Sequence, residues 1–349
     1  MRRLLLILAL SACVAQPPAS APADATATTP PPSLEALTAD YADGADTLSL
    51  LERDGEFRLL PWGGSEFALE RISDTLWVAA PGDTIQLTAG PSAGATGASA
   101  ARAFLVRGGR WFERLALGPA DGAVFRIEPL RPPEELLAEA LAARPPEEEG
   151  DFIESDLAEL VALDPTIRLD VRYATTENFM GEVFYSQPRA FLQRPAAEAL
   201  VRAHRWLGEQ GYGLMIYDGY RPWYVTRMFW DATPTHLREF VANPARGSRH
   251  NRGCAVDLTL FEVATGRAVE MPSGYDEFSP RAYADYPGGT SQRRAHRALL
   301  RQAMEAHGFA ANPSEWWHFD YGDWRRFRLA NLRFEELSGT STTRAPTHP

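Results

Sequence analysis

Hydrophobic and polar positions follow two different patterns, which divide the chain into two folded regions. From Leu37 to Leu130, short apolar runs of strand length, such as EFRLL (56–60) and RAFLVR (102–107), are separated by glycine-rich turn signals. Short strands joined by frequent turns are typical of a small antiparallel barrel or sandwich. We therefore predict a β-rich accessory domain over residues 37–130, in which no catalytic constellation stands out.

Helical and strand patterns are mixed in the second region, residues 151–338. Apolar residues recur at helical spacing after Pro195 and again before Gly308, which predicts two long helices. Alternation from Ile167 to Tyr173 predicts a half-buried strand. Helices and strands in irregular order indicate an α+β fold with a mostly antiparallel sheet and flanking helices. Further short strands are predicted at residues 214–217, 255–261 and 316–321.

Three segments lie outside the two folded regions. Residues 131–150 carry proline and glutamate runs around a short helical pattern and are interpreted as a linker. Residues 14–36 are rich in proline, alanine, serine and threonine, a composition that cannot bury a core and predicts a disordered tether. Residues 339–349 are predicted to form a disordered tail.

The first thirteen residues, MRRLLLILALSAC, have the order of a secretory signal, with two arginines, an apolar run and then small residues. The apolar run is too short to span a bilayer as a helix. Its end resembles a bacterial lipobox, which implies that Cys13 is lipidated and anchors an exported protein on the periplasmic or outer face of a membrane. The alternative is a plain secretory signal cleaved a few residues later. In a cell with two membranes, Val14 stands where an aspartate usually retains lipoproteins at the inner membrane, which is consistent with an outer-membrane address.

Charge and cysteine content exclude some classes of function. The 349 residues have a formal net charge of -11 and show no cluster of Lys and Arg of the kind that binds phosphates, so we expect no nucleic-acid partner. The two cysteines, Cys13 and Cys254, cannot form a disulfide framework. Cys254 lies on the predicted core face of a strand and is interpreted as a small buried hydrophobe.

Three side chains of the second region are candidate zinc ligands. A catalytic zinc usually takes three ligands from His, Asp and Glu and keeps a fourth position for water. His250 precedes Gly253, where the chain can turn, and Asp257 follows on a strand face that points to a cleft. His318 would come from a distant strand. Other divalent metals also accept two imidazoles and a carboxylate.

Two further side chains have the chemistry that hydrolysis needs. Glu315, three residues before His318, can take the proton of an attacking water. Because residues three apart on a regular strand point to opposite faces, we predict that Glu315 lies in the loop after Pro313, just before the strand begins. Arg221 follows a predicted strand, and its fork of donors can stabilise an oxyanion. Each residue alone also has an ordinary structural explanation, so the hypothesis depends on their co-occurrence.

The motifs around these residues resemble a known family. SRHNRGCAVD (248–257) is similar to the SxHxxGxAxD signature, and EWWH (315–318) to the ExxH signature, of the D-Ala-D-Ala metallopeptidases. Within that group, DVRYATTENF (170–179) and DGYRP (218–222) resemble segments of the D-alanyl-D-alanine dipeptidases. The resemblance covers about residues 151–325 and none of the N-terminal half.

The resemblance implies a role for each matched residue. The three candidate ligands would bind one zinc ion, Glu315 would be the general base and acid, and Arg221 would steady the tetrahedral intermediate. Dipeptidases of this type have a small closed pocket that recognises the free ammonium and carboxylate ends of a dipeptide. By motif position, Asp276 would pair with the ammonium, and Ser248 and Tyr173 would line the pocket.

The function implied is hydrolysis of D-Ala-D-Ala, or similar D,D-dipeptides, to free amino acids. Pro272 departs from the family's usual Met-Gly near this pocket, so its shape, and with it a strict dipeptide size, is an open point. One alternative is a D,D-carboxypeptidase or L,D-endopeptidase that acts on peptidoglycan stem peptides through an open cleft. The two possibilities differ in the loops around Asp276 and after Tyr173, which would cap the metal in a dipeptidase and leave it open in an enzyme that acts on stem peptides. An alternative of another class is a non-catalytic wall-binding lipoprotein that uses the β domain for attachment.

Overall fold

A computed structural model describes residues 37–73, 76–79, 83–89, 103–115 and 123–337 of the chain. The predicted signal peptide with Cys13, the tether and the C-terminal tail lie outside these residues. In the described part, no helix combines the length and the apolar character that a membrane crossing requires.

Eight described strands between residues 39 and 114 form a closed antiparallel barrel, in which each strand pairs with its neighbour in sequence and the last pairs with the first. Alternate residues point inward, and Leu50, Leu59, Ile85 and Leu105 have no exposed surface. The predicted all-β character of the N-terminal region is confirmed. The strands are β1 Ala39–Ala42, β2 Thr47–Arg53, β3 Glu56–Pro61, β4 Phe67–Arg71, β5 Leu76–Ala79, β6 Asp83–Ala89, β7 Ala103–Arg107 and β8 Arg110–Arg114.

The second region is built on a five-stranded sheet in the order β10-β12-β13-β15-β14, with a separate two-stranded sheet of β9 and β11. Only the β10–β12 pair of the larger sheet is parallel. These strands are β9 Leu157–Glu159, β10 Arg168–Leu169, β11 Phe191–Gln193, β12 Tyr212–Asp218, β13 Ala255–Glu262, β14 Phe309–Asn312 and β15 Glu315–Tyr321. The helices are α1 Pro133–Ala142, α2 Leu160–Leu163, α3 Arg194–Gly208, α4 Trp223–Ala232, α5 Ser291–Ala306 and α6 Phe334–Leu337.

The core of this region lies between the sheet and its long helices. Helix α3 begins with Pro195 in its first turn, as predicted, and buries Ala196, Leu200, Ala203 and Leu207 at helical spacing. In β13, Val256, Leu258 and Leu260 have no exposed surface. Because successive strand residues point to opposite faces, Asp257 lies on the other face of the strand from this packed row.

The predicted strand from Ile167 to Tyr173 is wrong in its extent. Only Arg168 and Leu169 form the strand β10, and residues 172–174 form a 3-10 turn closed by the bond from Ala174 N to the carbonyl of Val171 (3.0 Å). The alternation of apolar and polar residues is compatible with the predicted strand and with the observed turn. Only the turn buries Tyr173 (1% exposed) among aromatic side chains. Tertiary packing therefore overrides the local period.

The segment 131–150, which the sequence suggested as a linker, contains the helix α1. Its Leu136 and Ala140 are each 1% exposed and belong to the hydrophobic core of the second region. This helix therefore packs as part of the α+β fold.

Candidate metal centre and reaction cavity

The three candidate ligands converge from two strands and a turn. His250 begins a 3-10 turn that ends at Gly253, whose φ of 67° is left-handed. A Cβ at Gly253 would lie 2.5 Å from the Leu157 side chain, so the turn requires glycine. Asp257 of β13 and His318 of β15 are directly opposite each other in the sheet.

The ligand-type atoms of His250, Asp257 and His318 all lie within 4.8 Å of one another, and the three residues are buried. Oδ1 of Asp257 is 3.0 Å from Nδ1 of His318 and 3.3 Å from Nε2 of His250. Two imidazole nitrogens and a carboxylate oxygen at one point form the donor set of a catalytic divalent-metal site.

Each imidazole is oriented by a second partner on its far nitrogen. Nδ1 of His250 is 2.7 Å from the carbonyl oxygen of Gly219, and Nε2 of His318 is 2.9 Å from Oδ1 of Asp320. Such outer partners fix the tautomer and ring orientation of metal-binding histidines. The residues present therefore fit a bound metal ion in donor chemistry and in orientation.

Glu315 lies beside this cluster, although not in the predicted loop. It is the first residue of β15, and the predicted irregularity is a register shift between Ala311 and Asn312 in the pairing of β14 with β15. With this shift, Oε2 of Glu315 lies 3.8 Å from Nδ1 of His318 and accepts a bond from Nδ2 of Asn312 (2.8 Å). Burial raises the pKa of Glu315 to about 7, against the opposing effect of the His318 charge.

Arg221 follows β12, where the pairing with β13 shifts in register and places Asp218 opposite Asp257. Nε of Arg221 donates to Oδ2 of Asp218 (2.8 Å), and Nη2 lies 3.4 Å from Oδ2 of Asp257. Its guanidinium also packs over the rings of Tyr173 and Phe229, at 5.1 and 5.0 Å from the ring centroids. Arg221 is thus held rigidly against the metal-ligand cluster.

The eight residues predicted to bind metal, act in catalysis or contact substrate all line one cavity of about 170 Å³. This volume lies below the roughly 300–1,000 Å³ of pockets for drug-sized ligands, so the cavity suits a very small molecule. The rest of its wall includes Phe179, Phe229, Phe240 and Phe278. The eight are Tyr173, Arg221, Ser248, His250, Asp257, Asp276, Glu315 and His318.

Two segments from different parts of the chain meet at the wall of this cavity. The hydroxyl of Tyr173 donates to Oδ2 of Asp276 at 2.6 Å, and both residues are buried. Burial, together with the nearby charge of Asp257, raises the pKa of Asp276 well above its ordinary value. The ionised carboxylate is therefore costly here, and a cation bound beside it would offset that cost.

Besides Asn312, three residues of the site received no role from the sequence. Asp320 orients His318, Asp218 holds Arg221, and the hydroxyl of Tyr275 donates to Oδ2 of Asp257 (3.0 Å). Asp320 could have been found, because it lies two residues after His318 and so shares its face of the strand. Nothing in the sequence pattern places Tyr275 near Asp257.

Cys254 is buried, and burial raises the pKa of its thiol to about 12. It therefore behaves as the small core residue that the sequence suggested, because a nucleophilic cysteine needs a lowered pKa.

A buried cluster of metal-ligand side chains with an adjacent carboxylate, open to a small cavity, is an arrangement typical of metal-dependent hydrolases. Residues 154–335 match the family model described as D-ala-D-ala dipeptidase. The chain therefore belongs to this metallopeptidase family, as its motifs predicted, and the barrel precedes the matched range.

Individual relatives agree with the family match. Over 166 residues the chain is 34% identical to the D-alanyl-D-alanine dipeptidase of Escherichia coli (strain K12), a match that covers 48% of this chain and 84% of that protein. It is 35% identical over 188 residues to the protein of the same name from Streptomyces coelicolor, covering 49% of this chain and 91% of that one. It is 34% identical over 171 residues to the protein of the same name from Enterococcus faecium, a match that covers 44% of this chain and 85% of that protein.

Proposed function

We propose that this enzyme hydrolyses D-Ala-D-Ala, or a closely similar D,D-dipeptide, to two free amino acids with the help of one zinc ion. The observation that carries the proposal is the cavity of about 170 Å³ that contains all eight candidate residues. The bond between Tyr173 and Asp276 supports the dipeptide pocket, because it joins the two segments that would cap the metal in such a pocket and lie apart in an open cleft. The relatives named as D-alanyl-D-alanine dipeptidases support the same substrate.

His250, Asp257 and His318 would hold the zinc ion, since their donor atoms already lie within 4.8 Å of one another. When bound, zinc supplies Lewis acidity, which polarises a carbonyl and lowers the pKa of water. The second carboxylate oxygen of Asp257 is held by Tyr275, which leaves Oδ1 directed toward the two imidazoles.

The proton is moved by Glu315. Its carboxylate takes a proton from the attacking water and delivers it to the nitrogen of the leaving amino acid, so that one water is consumed for each peptide bond broken. Asn312 fixes the orientation of this carboxylate through its bond to Oε2.

Arg221 stabilises the negative charge that develops on the carbonyl oxygen during attack. Asp218 holds its Nε and Asp257 lies near its Nη2, while among the described residues none accepts a hydrogen bond from Nη1. That nitrogen is thus available to the reacting oxygen. Because the guanidinium is already fixed by Asp218 and two rings, little reorganisation is needed during the reaction.

The ends of the substrate are recognised by the remaining residues. Asp276 pairs with the free ammonium, which offsets the cost of its buried charge, and Tyr173 fixes the position of its carboxylate. Ser248 lines the cavity beside His250, whose backbone N–H donates to the Ser248 hydroxyl (3.2 Å). A substrate with a blocked amino group would leave Asp276 without its partner.

The test is incubation of residues 34–349 with D-Ala-D-Ala, and separately with a stem pentapeptide ending in D-Ala-D-Ala, each with and without a chelator. Release of D-alanine from the dipeptide, lost with the chelator and restored by zinc, is the expected result. Cleavage of the pentapeptide with the dipeptide spared would overturn the proposal in favour of a wall-trimming carboxypeptidase. Binding without cleavage of either peptide would favour the non-catalytic alternative.

We further propose, from residues 1–13, that the chain is exported and anchored through Cys13 on the periplasmic or outer face of a bacterial membrane. Its partners would then be small D,D-dipeptides and peptidoglycan fragments released outside the cytoplasm. Expression of the wild type and Cys13→Ser, followed by membrane fractionation, tests this address. Equal membrane retention of the two chains would contradict lipid anchoring at this cysteine.

A further inference from the structure

The barrel lies outside the family match, yet it contacts the part of the α+β region that carries Asp276. The segment from Ser273 to Ser291 runs past the reaction cavity, where Asp276 and Phe278 form part of the wall. It ends at the first residue of helix α5. The barrel binds this segment at two places.

The first contact joins β2 to the start of α5. The carboxylate of Glu52 accepts a bond from the backbone N–H of Ser291 (2.5 Å), and the backbone N–H of Asp54 donates to the hydroxyl of Ser291 (3.0 Å). Arg294 donates to the carbonyl of Glu52 and, through its other terminal nitrogen, to the carbonyl of Gly289. This contact fixes the end of the segment to the barrel.

The second contact is a buried hydrogen bond at a position of the segment closer in sequence to Asp276. The hydroxyl of Tyr286 donates to Oδ2 of Asp40 on β1 (3.2 Å), while Oδ1 of Asp40 accepts from Ser49 (2.5 Å). Asp40 is 2% exposed and Tyr286 8%, so neither group has water as a substitute partner.

Arg281, in the same segment as Tyr286, binds the residue after Asp276. Its guanidinium lies 2.8 Å from Oε1 of Glu277, which has no exposed surface. The same carboxylate accepts bonds from the hydroxyl of Ser279 (2.6 Å) and the N–H of Gly274 (3.3 Å). Glu277 therefore ties together the chain on both sides of Asp276.

The backbone at Asp276 needs such support. Its φ of 53° is left-handed, a conformation that costs free energy for a residue with a side chain and persists only where its surroundings hold it. This backbone conformation sets the position of the Asp276 carboxylate, which lines the cavity and accepts the hydrogen bond from Tyr173.

We infer that the barrel is a positioning element for the substrate pocket: through Asp40 and Glu52 it holds the 273–291 segment so that the Asp276 carboxylate keeps its place for the substrate ammonium. This inference rests on the proposed dipeptidase function. It assigns Asp40, Glu52 and Tyr286 as positioning residues that influence affinity and amino-terminal specificity, and it leaves the metal cluster and Glu315 unaffected.

The test uses the chain with Tyr286→Phe, Glu52→Gln and both changes together. Tyr41→Phe is the matched control, because Tyr41 of β1 is likewise a buried tyrosine, but its hydroxyl donates to the carbonyl of Leu37 (2.9 Å) and not to the 273–291 segment. Steady-state kinetics with D-Ala-D-Ala and with its N-acetyl derivative give KM, kcat and the discrimination between free and blocked amino ends. Calorimetry in a Glu315→Gln background measures dipeptide binding without turnover.

For the double variant we expect KM and the dissociation constant to rise about five- to tenfold, with kcat within about twofold of the wild type. Discrimination against the acetylated dipeptide should fall, and Tyr41→Phe should resemble the wild type. Unchanged KM and discrimination in a folded double variant, or a fall in kcat alone, would overturn the inference. If the double variant does not fold, the same criteria apply to Tyr286→Phe. A wild-type chain that neither binds nor cleaves the dipeptide would instead overturn the proposed function, and this inference with it.

Discussion

Asp320 offers the sharpest test of how the metal site is built, because it contacts a candidate ligand from outside the cluster. Its Oδ1 lies 2.9 Å from Nε2 of His318, on the side of the ring away from Asp257. We predict that Asp320→Asn and Asp320→Ala weaken zinc binding and leave the fold intact. The carboxylate holds the ring in place and makes Nδ1 a better donor.

The size of the effect depends on what each replacement removes. Loss of an outer partner of a metal-bound histidine typically costs about 10–100-fold in metal affinity, or about 1.4–2.7 kcal/mol. Asparagine keeps an oxygen near His318 and loses only the charge, so we expect zinc affinity to fall about tenfold. Alanine loses both the oxygen and the charge, so we expect a fall of about 100-fold. Arg249, now 3.5 Å from Asp320, would also lose its partner and leave a positive charge near the metal.

The assay is a zinc titration of metal-free protein in competition with a chromophoric chelator, which reports affinity without relying on turnover. Asp323→Asn is the control, because Asp323 is an exposed carboxylate just beyond the end of the same strand that pairs only loosely with Arg326 (3.4 Å). If Asp320→Ala bound zinc as tightly as the wild type, orientation of His318 by Asp320 would be irrelevant to the site. That outcome would refute the argument that Asp320, by binding the far nitrogen of His318, strengthens zinc binding.

Three other predictions concern catalysis, packing and pH. Glu315→Gln should lower kcat by about 10²–10⁴-fold with zinc affinity retained, as measured by steady-state kinetics and the same titration; an unchanged kcat would exclude Glu315 as the base. Leu258→Ala should lower the free energy of unfolding by about 2–5 kcal/mol in urea denaturation, because Leu258 has no exposed surface and a cavity would remain. Arg189 binds both oxygens of Glu159 (2.7 and 2.6 Å) and holds the pKa of Glu159 below its ordinary 4.5. The free energy of unfolding of the wild type should therefore exceed that of Glu159→Gln by its full amount above pH 4.5, and this difference should be lost as the pH falls below that value. Urea denaturation at a series of pH values measures it, and a difference that does not change with pH would contradict the prediction.

The sequence was most informative where chemistry and local geometry coincide. The spacing of His250, Gly253 and Asp257 specifies a turn followed by a strand, and both are present. The three-residue spacing of Glu315 and His318 predicted an irregularity at this point, although its form was wrong: Glu315 begins β15, and the irregularity is the register shift between Ala311 and Asn312. Such features depend on a few neighbouring residues, so a single sequence can reveal them.

Local pattern failed where long-range packing decides between two conformations with the same alternation. From Ile167 to Tyr173 the period of two is present, yet the chain leaves the sheet after Leu169 because Tyr173 packs into an aromatic cluster. The helix α1 was likewise assigned to a linker, since two buried residues in ten give a weak amphipathic signal. In both cases the deciding partners are remote in the chain.

The same limit applies most strongly to the contact between the two regions. Glu52 and Ser291 are separated by 239 residues, and Asp40 and Tyr286 by 246, so no motif links them. The motif position of Asp276 predicted a place in the pocket, but its left-handed backbone depends on how Glu277 is held. The motif thus identifies Asp276 as a residue of the pocket. The position of its carboxylate depends in addition on the barrel, which the family motifs do not include. If so, the affinity of the pocket can change through substitutions in the barrel while every motif of the active site stays intact.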